Sequence, residues 1–269
     1  MIAWPKIEDR YLDLPDGRLH YVEAGHGSPI VLLHGGHGSW THWIANIAEL
    51  SRAHRVLALD QPGFAGSFAP NPEYDLDQYA HTVSLLLDAL ALTGVAVAGF
   101  SFGCVVATAV AAREPQRVSH LILVNSPATG DRNPEAERIQ RELSKRSRED
   151  SLKAGAIGSL RELQLFNHEL IDDDLVALMM KNVRGTRRIT KGISARSGLL
   201  ERLKQVRQPV LVVIGREDRH QNYRLEQRCA NILGAAPHAR IELIEGARHW
   251  LAYDRPEVFN SLVLRAIAG

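Results

Sequence analysis

The sequence predicts an α/β protein, a mostly parallel eight-stranded sheet with helices on both faces. Two observations carry this. Short apolar runs alternate with stretches of helical periodicity along the chain. The inner runs are also almost unbroken in Val, Ile, Leu and Ala, as parallel strands buried on both faces must be. Crossovers in such a sheet are right-handed.

The elements follow in order. Tyr11–Leu14 and Leu19–Glu23 are the first strands, and Asp16-Gly17 between them reads as a hairpin turn, which makes them antiparallel. Ile30–Leu33, Arg55–Leu59, Val95–Phe100, Leu121–Val124, Val210–Ile214 and Arg240–Ile244 are the remaining strands. Trp43, Ile44, Ile47 and Leu50 form one helical face. Leu76 to Leu92 is a second helix, stopped near Gly94, and Cys104 to Arg113 a third, ended by Pro115. The last helix opens with Asp254-Arg255-Pro256-Glu257, which reads as a capping box with proline in the first turn.

Residues 131–207 break this rhythm. They hold 17 Lys/Arg and 12 Asp/Glu, a net of +5, against −4 for the rest of the chain (15 basic minus 19 acidic). The segment has no strand-like run but has amphipathic pieces at Leu160–Phe166 and Leu175–Met180. It reads as a helical lid inserted in a core of residues 1–130 and 208–269, its charges facing water.

At 269 residues the chain can bury a sizeable core without staples. Its 45% apolar and 23% charged residues exclude a disordered or collagenous chain. Thirty-two basic against 31 acidic residues argue against binding nucleic acid by charge. Cys104 and Cys229 are too few for a disulfide framework and lack metal-ligand spacing. The N-terminal MIAWPKIEDRYLDLPDG has no apolar core of a secretory signal, so a cytoplasmic location is expected. The 24 uncharged residues between Asp88 and Arg113 could span a bilayer by length. However, Gly94, Gly99, Ser101 and Gly103 divide them into a strand and a small-residue helix, so no membrane partner is expected.

The strongest chemical signal is Gly99-Phe100-Ser101-Phe102-Gly103, a G-x-S-x-G placed between a β-branched strand and a helix. The sharp turn holds the serine at its tip, and small residues two positions either side avoid collisions. The Phe102 amide at the helix N-terminus can stabilise an oxyanion. Ile30–Leu33 followed by His34-Gly35-Gly36 offers a second donor, the Gly36 amide, where no side chain blocks approach. A serine nucleophile also needs a base and an orienting carboxylate. Of twelve histidines, His249 stands in a loop after the last strand, on the carboxyl edge that holds Ser101. Asp218 lies just past Val210–Ile214 on the same edge, with Glu217 the near competitor, whose other role would be a salt bridge. His34, His37 and His42 crowd one loop, but their spacing matches no metal-ligand pattern and no acidic partner is near, so no metal is expected; His34 reads as a brace for the loop. Cys104 reads as a small apolar filler behind the serine.

These motifs, Leu-Leu-His-Gly-Gly (32–36), Asp60-Gln61-Pro62-Gly63-Phe64-Ala65-Gly66-Ser67, Gly-Phe-Ser-Phe-Gly (99–103), Gly-Arg-Glu-Asp (215–218) and His249, stand in the order found in α/β-hydrolases. The chain resembles that family over nearly its full length. The resemblance implies Ser101 as nucleophile, His249 as base, Asp218 as orienter, and Gly36 and Phe102 as oxyanion donors, with no cofactor. Serine at 101 departs from the dehalogenase and epoxide-hydrolase branches, which use aspartate. Gly-Arg-x-Asp-Arg and His249-Trp250 resemble the hydrolases that cut carbon–carbon bonds in aromatic ring-cleavage products, but those carry asparagine before the serine where this chain has Phe100. Trp250 is then expected to stack on a planar substrate. Arg188, in the basic run Arg184, Arg187, Arg188, Lys191 and Arg196, is expected to grip a substrate carboxylate. The expected activity is hydrolysis of small esters or lactones, with carbon–carbon hydrolysis second and a catalytically silent receptor third.

Overall fold

A computed structural model of the chain describes residues 7–149 and 152–268; the start of the stretch read for a secretory signal, residues 1–6, lies outside the described residues. The strands β1 (Glu8–Leu14), β2 (Gly17–Ala24), β3 (Ser28–Leu33), β4 (His54–Leu59), β5 (Val95–Phe100), β6 (Val118–Val124), β7 (Val210–Gly215) and β8 (Arg240–Ile244) form one sheet. Their order is β1-β2-β4-β3-β5-β6-β7-β8. β1 runs antiparallel to β2 and β2 antiparallel to β4, and from β4 to β8 every pairing is parallel. This is the mostly parallel α/β sheet that the strand–helix alternation predicts, and it agrees with the α/β-hydrolase fold that the motif resemblance implies. β1 begins at Glu8, earlier than the apolar pattern indicates, because Glu8, Asp9 and Arg10 pair with Glu23, Val22 and Tyr21 on an exposed edge where no apolar signal is required.

Helices α1 (Ile44–Leu50), α2 (Leu76–Ala89) and α3 (Phe102–Arg113) precede β6. Between β6 and β7 lie α4 (Pro134–Glu149), α5 (Leu152–Ser159), α6 (Asp173–Arg184), α7 (Lys191–Ala195) and α8 (Leu199–Leu203). After β7 come α9 (Leu225–Ala235), α10 (Leu251–Asp254) and α11 (Pro256–Ile267). The uncharged window between Asp88 and Arg113 is divided among the end of α2, β5 and α3, and no helix among the described residues is long and apolar enough to cross a membrane.

Alternation along the strands sorts the core into two layers. Val31 and Leu33, Val95 and Val97, and Val210, Val212 and Ile214 pack with α2, α3, α8 and α9. Ile30 and Leu32, Ala96, Ala98 and Phe100, and Leu211 and Val213 pack with α1, α10 and α11. Each fully buried Leu, Val or Ile contributes about 1.5–3 kcal/mol relative to exposure. The segment between β6 and β7 adds Leu160, Leu165, Leu175, Val176 and Met179 to this second layer. Its two amphipathic pieces take different forms. Leu175–Met180 lies within α6, whereas Leu160–Gln164 is a single π-turn followed by extended chain at Leu165.

The capping box expected at Asp254 is not formed. α11 starts at Pro256 with Arg255 before it and no side-chain cap, because Asp254 spends its oxygens elsewhere, as described below. The box is found instead on α2. There the Asp75 carboxylate accepts the Gln78 amide at 2.9 Å and the Gln78 side-chain oxygen accepts the Asp75 amide at 2.9 Å, a pairing worth about 1 kcal/mol.

Candidate active site

β5 hands over to α3 through Ser101, whose backbone is forced to φ 50° and ψ −116°. A non-glycine residue held there stores strain of about 1–3 kcal/mol. The glycines on either side are dictated by contact. A Cβ on Gly99 would lie 2.3 Å from the Gly103 carbonyl oxygen, and one on Gly103 would lie 2.0 Å from the Leu33 carbonyl oxygen. The first collision is across the turn, as the motif implies. The second is with the neighbouring strand β3, so Gly103 also lets α3 approach the sheet.

Three distant parts of the chain meet at this tip. Ser101 Oγ lies 3.0 Å from His249 Nε2, and His249 Nδ1 lies 2.8 Å from Asp218 Oδ2. Asp218 is fully buried, and its other oxygen accepts the His220 amide at 2.9 Å. Burial pushes its pKa up, but the charge and hydrogen bond of His249 and the proximity of His220 outweigh burial and hold it below the usual carboxylate value. A carboxylate so placed fixes the Nδ1–H tautomer, which leaves Nε2 free to accept the serine proton. The His249 ring packs against Phe100, with centroids 5.0 Å apart, and His220, 4.8 Å apart. Burial, and then the nearby His249, lower the His220 pKa to about 4. Cys104, behind the serine, donates Sγ–H to the Gly99 carbonyl at 3.0 Å, and burial raises its pKa to about 12, so it is inert as a thiolate.

The loop after β3 is held from two sides. His34 Nε2 accepts the Gln61 amide at 3.0 Å, so Nδ1 carries the proton and donates to the Gly35 carbonyl at 2.6 Å. Gly36 N–H belongs to that same trans peptide and points the opposite way. No hydrogen bond occupies it among the described residues. His42 Nδ1 accepts the Gly35 amide at 3.2 Å. Burial lowers the pKa of both imidazoles, that of His42 well below its ordinary value, so both are neutral where they brace the loop. A Cβ on Gly35 would lie 3.1 Å from Ser101 Cβ, which places the loop beside the serine. Phe102 is the first residue of α3, so its amide has no acceptor within the helix. Gly36 and Phe102 thus present free amides on elements that flank Ser101.

Two expected substrate contacts are corrected by the structure. Trp250 is 1% exposed, and its Nε1–H donates to the His42 carbonyl at 2.7 Å. Its ring packs on His42 and Tyr253, so it is a core residue of the α1–α10 layer with no face open for stacking. Arg188 turns its guanidinium to the Pro72 carbonyl at 2.8 Å and the Tyr74 carbonyl at 2.9 Å, and so straps the insertion to the loop before α2. Among the described residues Glu217 forms no salt bridge. Its side chain accepts the Ala247 amide at 3.1 Å and steadies the loop that carries His249.

Sequence reasoning missed Asn125. Left-handed at φ 48° beyond the end of β6, it donates to the carbonyls of Arg248 at 3.0 Å and His249 at 2.8 Å and accepts the Gly215 amide at 2.9 Å. It therefore locks the His249 loop to the end of β7. An asparagine directly after a buried strand was the available signal, since Asn tolerates φ > 0 better than most residues.

The profile of the alpha/beta hydrolase family matches residues 30–262. The chain is 27% identical to a 2-hydroxy-6-oxononadienedioate/2-hydroxy-6-oxononatrienedioate hydrolase of Paraburkholderia xenovorans (strain LB400), over 93% of this chain and 91% of that one. It is also 39% identical over 115 residues to the dihydrolipoyllysine-residue acetyltransferase component of the acetoin cleaving system of Pseudomonas putida; that match covers 42% of this chain and 31% of the relative. Among solved structures, naproxen esterase (carboxylesterase NP) from Bacillus subtilis superposes with a TM-score of 0.83 at 22% identity, covering 97% of this chain and 92% of the other.

Proposed function

The chain belongs to the alpha/beta hydrolase family, and from that premise we propose that it is a serine hydrolase of small carboxylic esters or lactones. The observation that carries this reading is the unbroken relay Ser101 Oγ–His249 Nε2–Asp218, at 3.0 and 2.8 Å. Ser101 attacks the acyl carbonyl while His249 takes its proton. The Gly36 and Phe102 amides receive the oxyanion of the tetrahedral intermediate. His249 returns the proton to the departing alkoxide, and a water, deprotonated by the same imidazole, releases the acid. Asp218 supports the imidazolium at each stage. The chemistry needs no metal or cofactor. Residues 131–207 act as a lid over this edge, and the balanced charge of the chain suits a small-molecule substrate rather than nucleic acid.

Carbon–carbon hydrolysis is the second reading, favoured by near full-length similarity to a dienedioate hydrolase. There the leaving group is carbon and must be protonated to a ketone first, which calls for polar groups near the serine. Phe100 offers none, and its ring is spent on His249 and His42.

Fluorophosphonate labelling with peptide mapping tests the first reading. Ser101 is the expected adduct, and Ser101→Ala should remove both labelling and turnover while the fold persists. Absence of any adduct at Ser101 would instead support a silent receptor. Specificity constants for short p-nitrophenyl esters and a 2-hydroxy-6-oxodienoate, measured under the same conditions, separate the two reactions; a clear preference for the dienoate promotes the second.

A further inference from the structure

The loop that carries His249 is bonded along its length to the inserted segment. His249 N–H donates to the Leu163 carbonyl at 3.3 Å, and Trp250 N–H donates to the Gln164 carbonyl at 2.9 Å. Asp254, 3% exposed, gathers three backbone amides: Phe166 at 2.7 Å, Asn167 at 3.0 Å and Arg248 at 3.0 Å. Two of these come from the insertion and one from the residue before His249. The Arg248 guanidinium reaches back to the carbonyls of Arg161 and Leu165. On the acid side, Arg219, next to Asp218, pairs with Glu162 at 3.2 Å. The segment that receives these bonds is the π-turn Leu160–Gln164, closed by Leu165 N–H on the Leu160 carbonyl at 2.9 Å. π-turns recur at functional sites because they push backbone groups out of helical register.

We propose that Asp254 is a positioning residue, a latch that registers His249 against Ser101 only when insertion segment 160–167 is seated. The proposal rests on the serine-hydrolase reading above. Its physical basis is direct. The amide of His249 is itself bonded to the insertion, so displacing the segment moves the backbone from which the imidazole reaches Ser101. Asn125 and Asp218 hold the carbonyl and the ring, but neither holds the amide side of the loop. Asp254 fastens both partners with one carboxylate, so losing it loosens the segment and the loop together and leaves the remaining bonds to hold their register. Seating of the insertion and completion of the acid–base pair are then one event, and a misplacement of about 1 Å is enough to slow the reaction by about two orders of magnitude.

The test uses the full chain and fluorophosphonate labelling of Ser101 beside turnover of p-nitrophenyl acetate. In Asp254→Asn, one oxygen becomes an amide that faces donors. The labelling rate and kcat should fall together by about tenfold or more, with KM changed by less than about threefold. The downfield proton resonance of the His249–Asp218 bond should broaden or vanish, which loss of stability alone would not cause in a folded variant. Asn167 tests the same bond from the insertion side. Its φ of −82° accepts proline. Asn167→Pro, which removes the amide given to Asp254, should reproduce the loss in rate, whereas Asn167→Ala, which keeps that amide, should not. This pair decides the matter if Asp254→Asn does not fold. A folded Asp254→Asn that labels within about twofold of wild type and keeps the resonance overturns the latch, as does equal behaviour of Asn167→Pro and Asn167→Ala. Wild type that fails to label at Ser101 overturns the hydrolase reading and the latch with it.

Discussion

Replacing Asp218 with asparagine isolates the contribution of a single charge at almost constant shape. In the wild type, the carboxylate accepts two bonds, from His249 Nδ1 at 2.8 Å and from the His220 amide at 2.9 Å, inside a fully buried site. Asparagine has one oxygen and one amide group, so it can accept only one of the two. If its oxygen stays on the His220 amide, the NH₂ group faces His249 Nδ1. The imidazole must then carry its proton on Nε2, where it cannot accept the Ser101 proton. If the oxygen turns to His249, the NH₂ group meets the His220 N–H, two donors abut in a dry site, and the charge that supports the imidazolium is still absent. The first arrangement has the wrong tautomer; the second loses about 1–3 kcal/mol to an unsatisfied group. A wrong tautomer in this relay costs about 10⁴ in kcat, or roughly 5 kcal/mol of transition-state stabilisation. The assay is kcat/KM on p-nitrophenyl acetate near neutral pH, with near-ultraviolet circular dichroism to establish the fold. A folded Asp218→Asn that retains more than about a tenth of wild-type activity refutes the assignment of Asp218.

Three further outcomes follow from the same geometry. Glu217→Gln keeps an oxygen for the Ala247 amide, so its kcat/KM should stay within about tenfold of wild type, and a larger loss than that of Asp218→Asn would exchange their roles. Gly103→Ala puts a methyl carbon 2.0 Å from the Leu33 carbonyl oxygen on a rigid strand, so α3 must move; soluble yield should fall and stability should drop by about 3 kcal/mol, and an unaltered melting temperature would show that the helix is not held against β3 as described. His220 is neutral in the fold down to about pH 4, whereas the unfolded chain protonates near pH 6.5, so the unfolded state binds the extra proton and stability drops as pH falls between those values. The window allows about 3 kcal/mol from this residue, and a His220→Gln variant should show a correspondingly shallower fall in melting temperature from pH 7 to pH 4.5; an identical slope would refute the shift.

How much of this was legible in the sequence depends on where each residue's partner lies. Ser101 was readable because its constraints are local: glycine two residues before and after, a β-branched run on one side and a helical one on the other. His249 was readable as a candidate by elimination, since parallel strands bring their carboxyl ends to one edge and few loops there carry a histidine; elimination left Asp218 beside Glu217, and the resemblance to α/β-hydrolases chose between them. Asn125 and Asp254 were not readable as loop-holding residues. Their partners are backbone groups 124 and 88 positions away, and a backbone amide has no residue type to recognise. Asp254 was misread because Asp-x-Pro-Glu before an apolar run is a valid capping signal; the tertiary demand of two insertion amides outweighed about 1 kcal/mol of local capping. Trp250 was misread for a simpler reason. Adjacency to His249 in sequence says nothing of direction: His249 turns to Ser101 and Asp218, and the next residue turns into the core.

Phe100 shows what the sheet decides independently of chemistry. Alternation along β5 sends Val95 and Val97 to the α2–α3 layer and Ala96, Ala98 and Phe100 to the α1–α10 layer. The loop of His249 belongs to that second layer, through Trp250 and Leu251. The residue before Ser101 therefore directs its side chain toward His249, and here its ring lies 5.0 Å from that of His249 and 5.2 Å from that of His42. An asparagine in this place could lend a hydrogen bond to groups around the serine. A phenylalanine instead excludes water from one side of the imidazole, which strengthens its bond to Asp218 by lowering the local dielectric. On the proposed serine-hydrolase reading, position 100 trades polarity near the substrate for a drier and more rigid base, and that exchange would suit a leaving alkoxide, which needs one well-placed proton, better than a leaving carbon.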